Sequence, residues 1–217
     1  MRKKGDISSI VSIGISSILN VFKLQTIRRD DFCHLFVKLG LLPHLVVSFR
    51  SFLGLILEAK DEGEEEGWSE IEDLAEILEL FAASDSFVKE RMAVENVCLG
   101  ILNPFISLSL TQKLSHKHAF QKFSNLVVVL LKCLRELAAE PKTLKKLDRE
   151  QAIVMLIPLL EQQQPGYDNA MFDESMECMF YLCRIDKTRQ ELAARHGLIQ
   201  QLQRCMDDDK LHLKEWR

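Results

Sequence analysis

Arg189-Gln190-Glu191-Leu192-Ala193-Ala194-Arg195-His196-Gly197-Leu198-Ile199-Gln200-Gln201-Leu202 is the stretch on which the reading of this chain turns. A short helical run ends at a glycine, and a second run with helical apolar spacing begins straight after it. Glycine takes positive φ without the Cβ clash that other residues meet, so Gly197 lets the backbone turn sharply between a short helix and a longer one. The same order occurs three more times. Asp31-Phe32-Cys33-His34-Leu35-Phe36-Val37-Lys38-Leu39-Gly40-Leu41-Leu42-Pro43-His44-Leu45 carries it at Gly40, with Pro43 at the start of the next helix, where a missing N–H costs little. Residues 88–102 and 144–157 carry it around Val97 and Ala152.

Taking Gly40, Val97, Ala152 and Gly197 as markers gives spacings of 57, 55 and 45 residues. The last falls within the roughly 40–47 residues of HEAT and armadillo repeats, and insertions lengthen the first two. Ahead of each short unit lies a longer amphipathic run: Val11, Ile15, Ile18 and Phe22; Ile71, Leu74, Leu78 and Phe81; Val127, Leu130, Leu134 and Leu137; Phe172, Met176, Met179, Phe180 and Cys183. Ser69 with Glu72, and Asp148 with Gln151, have the spacing of capping boxes. The β-branched run Val127-Val128-Val129 sits within a helical period, so no strand is expected.

The predicted fold is therefore all-α, an armadillo/HEAT-like α-solenoid of about four repeats spanning residues 1–217. Repeat 1 covers about 7–57, an acidic loop 58–67, repeat 2 about 68–106, a connector 107–119, repeat 3 about 120–164 and repeat 4 about 168–206. Residues 207–217 read as the start of a truncated further repeat. The loop holds Asp61-Glu62-Gly63-Glu64-Glu65-Glu66, too charged to bury surface, and Gln162-Gln163-Gln164-Pro165-Gly166 reads as a turn. One helix pair leaves its apolar face wet, so stability belongs to the stack, and uncapped ends favour self-association.

Composition agrees. Of 217 residues 47% are hydrophobic, while nine Gly and five Pro are few for a chain of short strands. A formal charge of -4 supplies no field for phosphate backbones, so no nucleic-acid partner is expected. Five of the six cysteines lie in apolar helical runs, as free buried thiols do, which favours a reducing, cytoplasmic setting. Residues 7–24 imitate a membrane anchor, but six Ser or Gly residues interrupt them, and they read as a buried helix without membrane insertion.

No catalytic residue is expected. The chain lacks the glycine-rich loop, His-Arg-Asp and Asp-Phe-Gly strings of a kinase, a Walker loop, GxSxG and HExxH. Cys178 and Cys183 are spaced for neither a redox pair nor a zinc knuckle, so no metal and no cofactor is expected. His116-Lys117-His118 reads as a solvated connector, Lys142, Lys145, Lys146 and Arg149 as an exposed helix end, and Cys33, beside His34, as a packing thiol.

Several blocks resemble one family. Val21-Phe22-Lys23-Leu24-Gln25 leading to Gly40-Leu41-Leu42, Leu131-Lys132-Cys133-Leu134 leading to Leu156-Ile157-Pro158, and Leu182-Cys183-Arg184-Ile185-Asp186-Lys187 followed by Gly197-Leu198-Ile199 look like the armadillo region of plant MAP3K-epsilon-type protein kinases. The related fungal kinases of the septation-initiation and mitotic-exit networks share it. The resemblance implies a non-catalytic regulatory or targeting segment of a Ser/Thr kinase acting in cytokinesis or mitotic exit, with a small GTPase or other network proteins as partners. Two alternatives stand beside it: a fragment whose kinase half lies upstream of Met1, and a membrane-anchored adaptor using residues 7–24. In an armadillo array the third helices line a groove. Aligning Gly40 with Gly197 pairs His44 with Gln201 and Val47 with Arg204, and these four are the candidate protein-binding residues.

Overall fold

The computed structural model describes residues 4–24, 28–58, 67–110, 117–162, 170–204 and 206. The acidic stretch 59–66, the turn at 163–166, the middle of the connector, His116 and residues 207–217 lie outside them. Every regular element among the described residues is a helix: α1 Lys4–Lys23, α2 Arg29–Lys38, α3 Leu42–Glu58, α4 Trp68–Ala82, α5 Ser86–Val94, α6 Val97–Leu110, α7 Lys117–Ala139, α8 Leu144–Arg149, α9 Ala152–Gln162, α10 Ala170–Cys183 and α11 Lys187–Arg195. A twelfth helical stretch, here α12, covers 198–204. α6 runs on to Leu110 and α7 starts at Lys117, so both extend into the stretch read as a connector.

The helices fall into triplets of long, short and third helix, and each short helix turns into the third through one left-handed residue. Those residues are Gly40, Asn96, Gln151 and Gly197, with φ of 70°, 51°, 59° and 102°. At every corner the left-handed residue donates its N–H to the carbonyl three residues back, and the residue before it donates four back: Gly40 to Val37 and Leu39 to Leu35, through to Gly197 to Ala194 and His196 to Leu192. α2 and α3 meet at 88° across Gly40. The sequence markers Val97 and Ala152 sit one residue late. Asn96 and Gln151 do the turning, and Asn is among the residues that tolerate this conformation best.

The long helices repeat in register too. Ile71, Leu74, Ile77, Leu78 and Phe81 of α4 are buried, and so are Val127, Leu130, Cys133, Leu134 and Leu137 of α7 at matching places before their corners. α10 matches them with Phe172, Ser175, Cys178, Met179 and Leu182. Val127-Val128-Val129 is helical, as its period implies. Phe180, read as core, is instead 62% exposed, because it lies one step beyond the buried stripe at the place of Arg135.

Neither expected capping box forms. α4 starts at Trp68 behind Gly67, which puts Ser69 inside the helix; Asp148 lies within α8, whose end is the Gln151 corner. Asp85 and Asp186 do act as side-chain caps, Asp85 accepting from the Val88 N–H at 3.1 Å and Asp186 from the Arg189 N–H at 3.0 Å. They hold equivalent places before Asn96 and Gly197, and each satisfies a donor that a helix start leaves open.

The chain forms two compact units, Met1–Ile101 and Leu102–Arg217, divided within α6. In the first, α1 and α3 pack on α4 and α2 packs on α5. Ser12 donates to Glu70 at 2.7 Å, and Ser84 to Asp30 at 2.9 Å. Pro104 stands inside α6 and has no N–H for the carbonyl four residues back, that of Gly100. Arg50 of α3 supplies the missing donor, its Nη2 lying 2.9 Å from the Gly100 oxygen. A Cβ at Gly100 would stand 3.4 Å from the same nitrogen, so the small residue leaves the guanidinium its approach. In the second unit α10 packs on α7 and α9, and α11 on α9 and α10. Arg135 of α7 bridges Glu174 and Glu177 of α10 at 2.9 and 3.0 Å.

Candidate protein-binding surface

The four residues singled out in the sequence sit on third helices, four and seven places past their corners. His44 and Val47 on α3 are both exposed. Helical spacing sets them on one face, with Leu45 and Phe49 buried on the other. Gln201 and Arg204 on α12 differ from each other. Gln201 is buried, and its side-chain oxygen accepts from Arg204 Nη1 at 2.6 Å, while Arg204 itself is exposed and also donates to the Glu161 carbonyl at 3.4 Å. Gln201 therefore orients the arginine, and the arginine meets solvent. The same register in α9 holds Met155 and Pro158, both half-buried. At this register α3, α9 and α12 thus carry different side chains.

Within each unit a polar pair joins two short helices. Arg189 of α11 grips Asp148 of α8 through Nε and Nη2 at 2.7 and 2.9 Å, and is only 11% exposed at its side chain. That hydrogen bonding holds its guanidinium above an already high value, against the opposing effect of burial. In the first unit His34 of α2 meets Asp85 of α5 at 2.6 Å, and the Phe87 ring stands edge-on to the imidazole at 5.0 Å. Partial burial raises the Asp85 carboxyl, but the Val88 N–H and His34 outweigh it and hold the group below its ordinary value. Burial lifts the Glu174 carboxyl despite Arg135. These groups bind helix to helix. Asp148, Asp85 and Arg189 were not picked out in the sequence as partners, since they lie about forty to fifty residues apart and nothing local pairs them.

Cys33, Cys98, Cys133, Cys178 and Cys183 are buried. Burial is the main cause that pushes the Cys33 thiol up to about 11, far from the range of a nucleophile at neutral pH. Among the described residues no three His, Cys, Asp or Glu side chains gather as a metal would require. Lys142, Lys145 and Arg149 are exposed and Lys146 is half-buried, spread around a six-residue helix. An open recess of about 540 Å³ lies between α1 and α4 in the first unit, lined by Leu19, Phe22, Lys23, Leu24, Glu76 and Leu80 with Arg29. No single helix among the described residues is long and apolar enough to cross a membrane. α2 with residues 42–56 passes only as a pair bent by 88°.

No family model matches the chain, and no solved structure matches it. Curated proteins do. It is 33% identical over 133 residues, 61% of its length, to MAP3K epsilon protein kinase 1 of Brassica napus, and 32% identical over 136 residues to MAP3K epsilon protein kinase 2 of Arabidopsis thaliana. It is 26% identical over 216 residues, 97% of its length, to cytokinesis protein sepH of Aspergillus niger. The chain spans only 9% of the plant proteins and 14% of the fungal one. What the sequence and these matches establish together is partial homology to a non-kinase region of the MAP3K epsilon kinases and the sepH cytokinesis proteins.

Proposed function

We propose that this chain is an armadillo-type stack of four helix triplets serving as a non-catalytic, protein-binding segment of a Ser/Thr kinase system that controls cytokinesis or mitotic exit. The observation that carries the reading is the corner repeated at Gly40, Asn96, Gln151 and Gly197, in a chain whose relatives are cytokinesis and MAP3K epsilon proteins. Triplets joined in one way stack in one way, and stacked third helices make an extended binding face. On this reading the face recognises a protein through His44, Val47 and Arg204, with Gln201 holding the arginine in place. The partner is a component of the kinase network, a small GTPase or another of its proteins, met in the cytoplasm. No cofactor and no nucleic acid enters.

The test is direct binding. The purified chain is immobilised and titrated with the network's small GTPase in its GDP and GTP forms, and with the network's kinases. Val47→Asp and Arg204→Glu, both at exposed positions, are expected to abolish the signal while leaving the helical circular dichroism intact. Binding that survives both substitutions removes the third-helix face as the site. Binding to none of these proteins removes the assignment to the network.

A further inference from the structure

Ser69 and Glu72, spaced as a capping box, cap nothing, because α4 begins at Trp68 behind Gly67. A box would turn the serine hydroxyl to a backbone N–H. Here Ser69 is the second residue of the helix and is exposed. Residues three and four places along a helix share a face, so Glu72, exposed, and Asp73, half-buried, stand beside it. Glu70, the next residue, is held toward α1 by the Ser12 hydroxyl at 2.7 Å. An accessible serine oxygen is thus followed by carboxylates at the next, third and fourth places.

No Lys, Arg or His stands between Lys60 and Lys89, and the residue after Ser69 is not proline. A kinase that finds its serine by a basic or proline neighbour has nothing to hold here. One whose cleft carries Lys and Arg has three carboxylates to attract it. The spacing is selective within the chain. Among its Ser and Thr residues only Ser69 and Thr188 have an acidic residue three places on, Glu72 and Glu191, and Thr188 lies between Lys187 and Arg189. Ser69 also sits in a first turn, where a helix opens most readily.

We propose that Ser69 is a phosphorylation site for an acid-directed Ser/Thr kinase, a separate protein that supplies MgATP and the catalytic groups. The Ser69 oxygen attacks the γ-phosphorus, the bond from that phosphorus to the β–γ bridging oxygen breaks, ADP leaves, and the hydroxyl proton passes to the kinase's own base. The product adds a charge of about −1.5 to −2 at neutral pH to a helix whose Glu72, Glu76 and Glu79 are already exposed. The first-turn N–H groups, which Gly67 has no side chain to cap, favour the phosphate, while Glu72 and Asp73 oppose it. The two effects offset, so α4 stays helical and the change lies in the charge its surface presents. The third-helix face plays no part in it.

The native full chain is incubated with MgATP and casein kinase II, and in parallel with protein kinase A, which basic residues direct. Fragmentation of the peptides by mass spectrometry locates the phosphate. One phosphate at Ser69 is expected from the first enzyme and none there from the second, with Thr188 unmodified by the first. Ser69→Ala is expected to abolish the signal and Glu72→Gln to slow it severalfold. Glu79→Gln, on the same helix ten residues on, is expected to leave the rate unchanged. Circular dichroism checks that each variant is folded before labelling. No phosphate at Ser69, a phosphate that appears only after the chain is unfolded in urea, or labelling there by protein kinase A overturns the proposal. An equal rate in Glu72→Gln, or labelling of Thr188 as fast as Ser69, overturns it as well.

Discussion

Replacing Gln151 by glycine should stabilise the protein although no contact is gained. Gln151 is exposed and holds φ of 59°, so its side chain contributes little packing while its Cβ opposes the backbone conformation. A residue with a Cβ in left-handed backbone costs about 1–2 kcal/mol. Glycine returns part of that through its greater freedom in the unfolded chain, about 0.5–1 kcal/mol. The net gain expected for Gln151→Gly is thus about 0.5–1 kcal/mol, which for a chain of this size raises Tm by about 1–4 °C. The mirror experiment is Gly40→Ala. Nothing lies within 4 Å of a Cβ built at Gly40, so its loss of stability, of similar size and opposite sign, would come from the backbone alone. Thermal and urea melts of both variants followed by circular dichroism measure the pair. If Gln151→Gly is neutral or destabilising, or Gly40→Ala is silent, the corners do not depend on left-handed backbone and the repeat they define fails with them.

Other expectations follow from the polar contacts. Arg189→Ala breaks a two-pronged bond to Asp148 from a side chain 11% exposed, and is expected to cost about 1–3 kcal/mol in urea melts, with Arg189→Lys recovering only part. Arg50→Met leaves the Gly100 carbonyl without its donor and is expected to cost about 1–2 kcal/mol. Asp85, whose folded pKa lies below its unfolded one, adds stability that is complete above the ordinary carboxylate range. That stability is lost as pH falls through the folded value, and Asp85→Asn should flatten the acid side of a stability–pH curve. Cys33, with its thiol near 11 and no surface exposed, should resist alkylation at pH 8 until the chain is unfolded, as mass spectrometry of the labelled peptide would report.

The helices were legible because their apolar residues recur every three to four places over several turns, as with Ile71, Leu74, Leu78 and Phe81. Two of the four corners were legible for the same local reason: Gly40 and Gly197 announce a left-handed turn by composition. Asn96 and Gln151 do not, and markers placed on the apolar residues after them came one residue late. The caps failed differently. A Ser or Asp three places ahead of Glu or Gln describes a capping box only if the helix starts there, and α4 starts at Trp68 while α8 runs past Asp148. Asp85 and Asp186 carry the real caps in plain Asp-x-x runs that the sequence offers in many places. Of the candidate surface, His44 and Val47 were read from alignment alone and do reach solvent, while Gln201 is enclosed with its side-chain oxygen bonded by Arg204, a pairing that repeat alignment does not register.

The Arg50 bond to the Gly100 carbonyl gives α6 a rung that its own backbone does not make. Hydrogen-exchange protection in the early turns of α6 should accordingly depend on α3. When the first turns of α6 loosen, the Arg50 guanidinium loses its acceptor, and when α3 frays, a carbonyl in the neighbouring helix is stranded. Two helices with separate amide ladders would open independently; these two share one step, so their slowest-exchanging amides should respond together to a substitution at residue 50.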